Sequence, residues 1–217
     1  MDNLKGKKIT FIILNLYNFL SCAVCLFINI ILVNDASRSV PFMCYFTTLS
    51  NLYSMIISLI LAIYAAYHFD DDNFKMHRVL KIFHLTSATS LALTFTTTVF
   101  FLTPMLIILG SPLSRLYGDY LILFHVINPL VHIATYIFFY QSNIKRRDTL
   151  YALIPMVSYT IFYPIMVTTH NMIDVYNFTF GGKFYLIAIV IPVMIGITYL
   201  LSFVLYIINK KVNKKYE

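Results

Sequence analysis

The chain has 217 residues, 59% of them apolar and 12% charged, with a formal net charge of +7. Mean hydropathy is +0.78. Soluble domains run near half apolar and a quarter charged, so this composition excludes a soluble enzyme and points to a polytopic membrane protein. Three cysteines cannot build a disulfide framework.

In chain order, six stretches have the roughly 20 apolar residues that a bilayer core demands of a helix. They are residues 9–33, 44–68, 80–108, 120–140, 149–168 and 184–209. The connectors between them are short and polar, so residues 1–217 are read as one all-α domain of six transmembrane helices. The first stretch starts basic, as a signal peptide does. Its apolar run of about 25 residues exceeds the 7–15 of such a segment, and no A-x-A site follows. It is read as a retained helix.

Charge sets the expected direction. Lys5, Lys7 and Lys8 precede the first span. Lys75, Arg78 and Lys81 surround the start of the third, and Lys145, Arg146 and Arg147 precede the fifth. Lys210, Lys211, Lys214 and Lys215 close the chain. The other side holds only Arg38, Arg115 and Lys183. Cytoplasmic connectors collect Lys and Arg, so both termini are expected in the cytoplasm. The basic residues then serve as topology markers and lipid-headgroup contacts, and no nucleic-acid partner is expected. Asn177-Phe178-Thr179 is a glycosylation sequon and Lys214-Lys215-Tyr216-Glu217 has the form of a dilysine signal. Both matter only in a eukaryote. The plasma membrane of a bacterium is the expected location, ahead of the endoplasmic reticulum.

No Asp, Glu, Lys or Arg stands at the centre of a span, where coupled transporters place one. The intramembrane polar groups are Thr, Ser, Asn and His. In the second span Thr47, Ser50, Asn51 and Ser54 follow helical i, i+3, i+4, i+7 spacing and share one face. In the fourth, His125, Asn128 and His132 do the same. Both stripes should turn away from lipid. The ordinary role of such hydroxyls is to bond an i−4 carbonyl or a neighbouring helix. Thr47 and His125 each lie about five residues, roughly 8 Å, from the same end of their spans. A hydroxyl beside an imidazole is the minimum pair for nucleophilic catalysis. The third span carries Ser or Thr on nearly all faces and is expected to be central, with Pro104 bending its end. His84, near the basic end, is read as packing or interfacial. His170 and Asn171 are candidates for the mouth of a site. Cys22-x-x-Cys25 lies in an apolar helix with no second pair, so no metal and no cofactor is expected.

Tyr45-Phe46-Thr47, followed by Asn51, together with His125-x-x-x-Pro129, resembles the membrane family of androgen-induced FAHFA hydrolases and its bacterial relatives. That family carries a Y-[LF]-T segment early in the second span and a His shortly before a Pro in a later one, on a six-span plan. The animal members place the Pro one residue further from the His and contain Trp, which is absent here. The resemblance implies hydrolysis of a lipid-like ester, with Thr47 as nucleophile and His125 as base. Asn128 or a backbone carbonyl would orient the imidazole, Asn51 would donate to the oxyanion, and His132 would support the same face. The rival expectation is a non-enzymatic protein that binds or transports a lipid or small solute. Membrane lipids are the expected partners on either reading, and the sequence does not set the oligomeric state.

Overall fold

The computed structural model describes residues 2–32, 44–71, 75–139, 144–172, 174, 176 and 183–213. Arg38, the sequon at 177–179 and the tail from 214 to 217 lie outside them. The described chain is all helix: α1 (Asp2–Leu32), α2 (Phe46–Tyr67), α3 (Arg78–Thr97), α4 (Thr103–Ile108), α5 (Ser114–Tyr117), α6 (Asn128–Phe138), α7 (Ile154–Thr168) and α8 (Ile187–Asn213). Five stretches are long and apolar enough to cross a membrane: Lys5–Ile31, Phe46–Tyr67, Arg78–Ile108, Arg146–Thr168 and Ile187–Asn213. The expected fourth span is a shorter apolar helix, Leu123–Phe138. The protein is an integral, multi-pass membrane protein.

Its helices are amphipathic in the inverse sense to a soluble bundle. On α1 the exposed face is Ile9, Ile13, Leu20, Val24, Phe27 and Ile31, while Asn15, Asn18 and Asn29 are buried. On α8 Ile189, Val193, Ile197 and Leu200 are exposed, while Thr198, Ser202 and Asn209 are buried. Apolar side chains cost nothing against lipid tails, whereas polar groups must find protein partners.

Two π-helical turns break the α ladder. One, Thr98–Leu102, joins α3 to α4. The other, Leu123–Ile127, leads into α6. Each is followed within two residues by a proline, Pro104 or Pro129. Proline has no N–H, and its ring crowds the carbonyl four residues back. The ladder responds by lengthening. The Thr103 N–H bonds the Thr98 carbonyl, and the Asn128 N–H bonds the Leu123 carbonyl. Each bond spans five residues instead of four.

At the basic end, side chains from one helix satisfy the last carbonyls of another. Lys8, only 5% exposed, donates to the carbonyls of His68 (3.1 Å), Phe69 (2.9 Å) and Asp71 at the end of α2. The ammonium also meets the negative end of that helix dipole. Asn209 and Asn213 of α8 donate to the Tyr136 and Ile137 carbonyls at the end of α6, at 2.7 and 2.8 Å. Arg78 clasps the buried carboxylate of Asp148 through Nε and Nη2, which ties the start of α3 to the 3-10 turn Arg146–Leu153 ahead of α7. The described basic segments are thereby gathered at one end of the bundle.

Candidate functional site

The polar interior is built where α1, α2, α3 and α6 meet. Asn18 Nδ2 donates to Ser58 Oγ at 2.9 Å. Ser58 Oγ lies 3.1 Å from His132 Nδ1, and His132 Nε2 lies 2.7 Å from Ser87 Oγ. Ser87 Oγ in turn donates to the His84 carbonyl at 3.1 Å. One hydroxyl proton per serine fixes the polarity of this chain, so His132 carries its proton on Nε2 and accepts on Nδ1. All four side chains are fully buried. His84 packs edge-on against His132 with ring centroids 4.7 Å apart, and its Nε2 meets Thr135 Oγ1 at 3.1 Å. His84 is therefore a packing residue, held inside the bundle rather than at an interface.

Towards the other end the network continues through Cys22. Asn128 Nδ2 donates to the Cys22 sulfur at 3.2 Å, and Asn128 Oδ1 accepts from Ser21 at 2.7 Å. The Cys22 thiol lies 3.6 Å from Asn51 Oδ1. Asn51 spends its amide protons on two carbonyls, Thr47 at 2.8 Å and Phe124 at 3.2 Å. Asn51, Asn128 and His132 are thus all committed to helix–helix bonds. Asn51 also staples the first turn of α2 to the π turn that carries His125.

His125 Nδ1 donates to the Leu116 carbonyl at 2.7 Å. A carbonyl only accepts, so the neutral ring carries its proton on Nδ1 and keeps a lone pair on Nε2. The Leu116 carbonyl thus fixes the orientation of the ring. Thr47 stands instead beside Tyr176, the two sharing the wall of one cavity. Thr47 and His125 make no hydrogen bond to each other. Tyr176 is seated by two backbone contacts. Its oxygen accepts from the Phe46 N–H at 3.1 Å, and its own N–H donates to the Tyr163 hydroxyl at 3.0 Å. Tyr163 donates to Asp174 at 2.7 Å, and Tyr159 donates to the Cys44 carbonyl at 2.9 Å. Burial pushes the Tyr176 phenol up to about 12, so it stays protonated at neutral pH.

Thr47 and Tyr176 stand on the wall of a cavity of about 500 Å³ between α2, α3, the π turn Thr98–Leu102, α7 and α8. The rest of its wall is apolar apart from the hydroxyl residues of α3, Thr98 and Tyr159, with Phe46, Leu93, Met156 and Val193 prominent. His125 does not line it. His170 is exposed at the end of α7 with a left-handed φ of 57°, and Asn171 bonds Thr169 at 2.9 Å. Neither reaches the cavity. Among the described residues no group of three His, Cys, Asp or Glu is placed to hold a metal.

Sequence reasoning placed the first helix but missed its polar face, and it missed the tyrosines. The signal in α1 was present: Asn15, Asn18, Cys22, Cys25 and Asn29 follow helical spacing along one face. Nothing in sequence spacing joins Tyr176 to Thr47, because a loop brings the phenol back over the start of α2. The chain matches no family model, no curated protein and no solved structure.

Proposed function

We propose that this is a six-span plasma-membrane protein with both termini cytoplasmic, and that its cavity beside Thr47 takes the acyl chain of an amphiphile with the polar group at Thr47 and Tyr176. The observation that carries this reading is the cavity itself: about 500 Å³, within the 300–1,000 Å³ usual for ligand sites, apolar except where hydroxyls line it. Lipid tails are as apolar as leucine, so chain burial here gains little over chain burial in the bilayer. Selectivity must come from the Thr47–Tyr176 pair. A photoreactive long-chain ester should label the protein, with labelling cut several-fold in Thr47→Val and Tyr176→Phe. Equal labelling in both variants would remove the pair from recognition. The topology is tested separately with single introduced cysteines. Cys22, Cys25 and Cys44 are buried, so background is low. An impermeant reagent should reach Lys183→Cys from outside and leave Lys145→Cys untouched.

Ester hydrolysis at the same place is the second reading, in line with the family resemblance of the two sequence blocks. It is favoured by the His125 tautomer, whose Nε2 lone pair suits a general base, and by Asn51, which holds the Phe124 carbonyl against the first turn of α2. Catalysis then requires the Thr47 hydroxyl to come within hydrogen-bond reach of His125 when substrate arrives. His125→Ala should abolish turnover of a long-chain ester and leave acyl labelling intact. Unchanged turnover in that variant would leave the binding role alone.

A further inference from the structure

At the basic end of α3, away from Thr47, lies a separate cavity of about 710 Å³, within the range usual for ligand sites. Its wall on α3 is Val79, Ile82, Phe83 and Thr86, whose i, i+3, i+4, i+7 spacing puts them on one face. Tyr53 lines it from α2, and Tyr151 and Ile154 from the 3-10 turn and the start of α7. The hydroxyls here do not make the wall polar. Thr86 returns its own to the Ile82 carbonyl at 2.8 Å, and Tyr53 donates to the Phe83 carbonyl at 3.4 Å. Val79, Phe83, Tyr151 and Ile154 are exposed, so the cavity opens sideways, where bilayer chains lie. A smaller cavity of about 250 Å³ shares Tyr53 and Pro155 with it and reaches Ser90. From Arg78 to Ser90 the helix rises about 18 Å at 1.5 Å per residue, close to the roughly 15 Å of half a hydrocarbon core. The result is an apolar groove about as deep as one leaflet.

The mouth of this groove is cationic. Arg78, the first residue of α3, is part of its wall. Its Nε and Nη2 are held on the buried Asp148 carboxylate, while Nη1 has no acceptor among the described residues. A guanidinium fixed on one edge and open on the other suits a phosphate oxygen. Asp148 offsets the charge of Arg78, so the excess comes from its neighbours. Lys75 stands three residues before Arg78 and Arg147 next to Asp148, and both are exposed. The positive end of the α3 dipole adds to them. Tyr151 shares the wall with Arg78, and tyrosine favours the headgroup level of a bilayer. A soluble anion has no use for the apolar groove, and a plain hydrocarbon has none for the guanidinium. An anion with a chain as long as one leaflet uses both.

We propose that this groove is a binding site for one anionic phospholipid of the leaflet at the basic end, with its phosphate on the open edge of Arg78 and an acyl chain against Val79, Ile82, Phe83 and Ile154. Chain burial gains little over the bilayer itself, so the mouth sets the preference. Each Lys or Arg near the surface favours anionic lipid by about fivefold, and Lys75 and Arg147 supply two such charges. The site does not rest on the acyl site at Thr47, because the two cavities share no wall residue.

The test is native mass spectrometry of the full chain in detergent, titrated with phosphatidylglycerol or with phosphatidylcholine of the same chains. Wild type should retain one phosphatidylglycerol about tenfold or more tightly than phosphatidylcholine. Arg78→Gln/Asp148→Asn removes one charge of each sign, so neither is stranded and the net charge stays at +7. It should weaken phosphatidylglycerol several-fold, which diffuse attraction to a basic surface would not show. Val79→Trp fills the groove from an exposed position and should weaken both lipids about tenfold, with acyl labelling at the Thr47 end unchanged. If the double variant does not fold, Val79→Trp decides alone. Equal retention of the two lipids by wild type would overturn the site. So would undiminished phosphatidylglycerol binding in folded Val79→Trp, which would place the lipid elsewhere on the basic end. A wild-type dimer that Val79→Trp splits would give the groove to a second copy of the chain, and would overturn it too.

Discussion

Helix α3 carries serine and threonine on two faces, and the two behave as different materials. On the face towards α1, α2 and α6, Ser87 is fully buried and locked to His132, with His84 packed beside it. On the face towards α7, Thr86 and Ser90 are buried as well, but they return their hydroxyls only to the helix's own carbonyls, Ile82 at 2.8 Å and Thr86 at 3.0 Å, beside a groove of cavities between α2 and α7. The residue types are the same. Whether a hydroxyl holds helices together or closes on its own helix depends on what stands opposite it: an imidazole and two further helices in one case, the apolar wall of a cavity in the other.

Substitutions should separate the faces sharply. The largest effect is expected for His132→Ala, which opens a cavity and strands Ser58, Ser87 and Asn18. Loss of a large buried side chain with its partners left unpaired costs about 3 kcal/mol or more, readable as a lowered denaturation midpoint in detergent micelles. Ser87→Ala removes one bond and should cost about 1 kcal/mol, near the upper range for hydrogen bonds between membrane helices. A double-mutant cycle of the two should show strong non-additivity, because they share that bond. Thr47→Val should change stability by less than about 0.5 kcal/mol while reducing acyl labelling several-fold. Ser158→Ala should be the mildest, with no measurable shift in stability, since its hydroxyl has no partner to lose. A Ser158→Ala protein, altered on α7 across the cavity, as damaged as Ser87→Ala would erase the distinction between the buried network and the cavity side.

Much of the architecture was legible in the sequence because lipid imposes simple rules. Apolar length gave the five long helices to within a few residues, and the clustering of Lys and Arg matches the gathering of basic segments at one end. Pro104 signals a bend at the end of its span, and a π turn stands there, while the matching π turn ahead of Pro129 was not anticipated. The inward turn of Ser50, Asn51 and Ser54 followed from their common face. The partners of each polar group were less legible. Asn51, expected near an oxyanion, is fully engaged by two carbonyls, and His132, expected to support His125, belongs to the Asn18–Ser87 chain. Which helices adjoin α3 is set by side-chain packing over long sequence separations, and one-dimensional spacing carries no record of it. The groove itself is an absence of side chains between α2 and α7, a property that no single residue encodes.

The most direct test of the central claim, that an acyl chain is held in the groove of cavities against α2, α3, α7 and α8, is residue-level mapping of photo-insertion from a phospholipid with a diazirine on its acyl chain, in native-like vesicles. Insertion should concentrate on Leu93, Met156, Val193 and Tyr53, which line the groove, well above the level at Leu20 and Phe27, which are exposed on α1. Insertion spread evenly over all the exposed apolar side chains, with no excess in the groove, would contradict it.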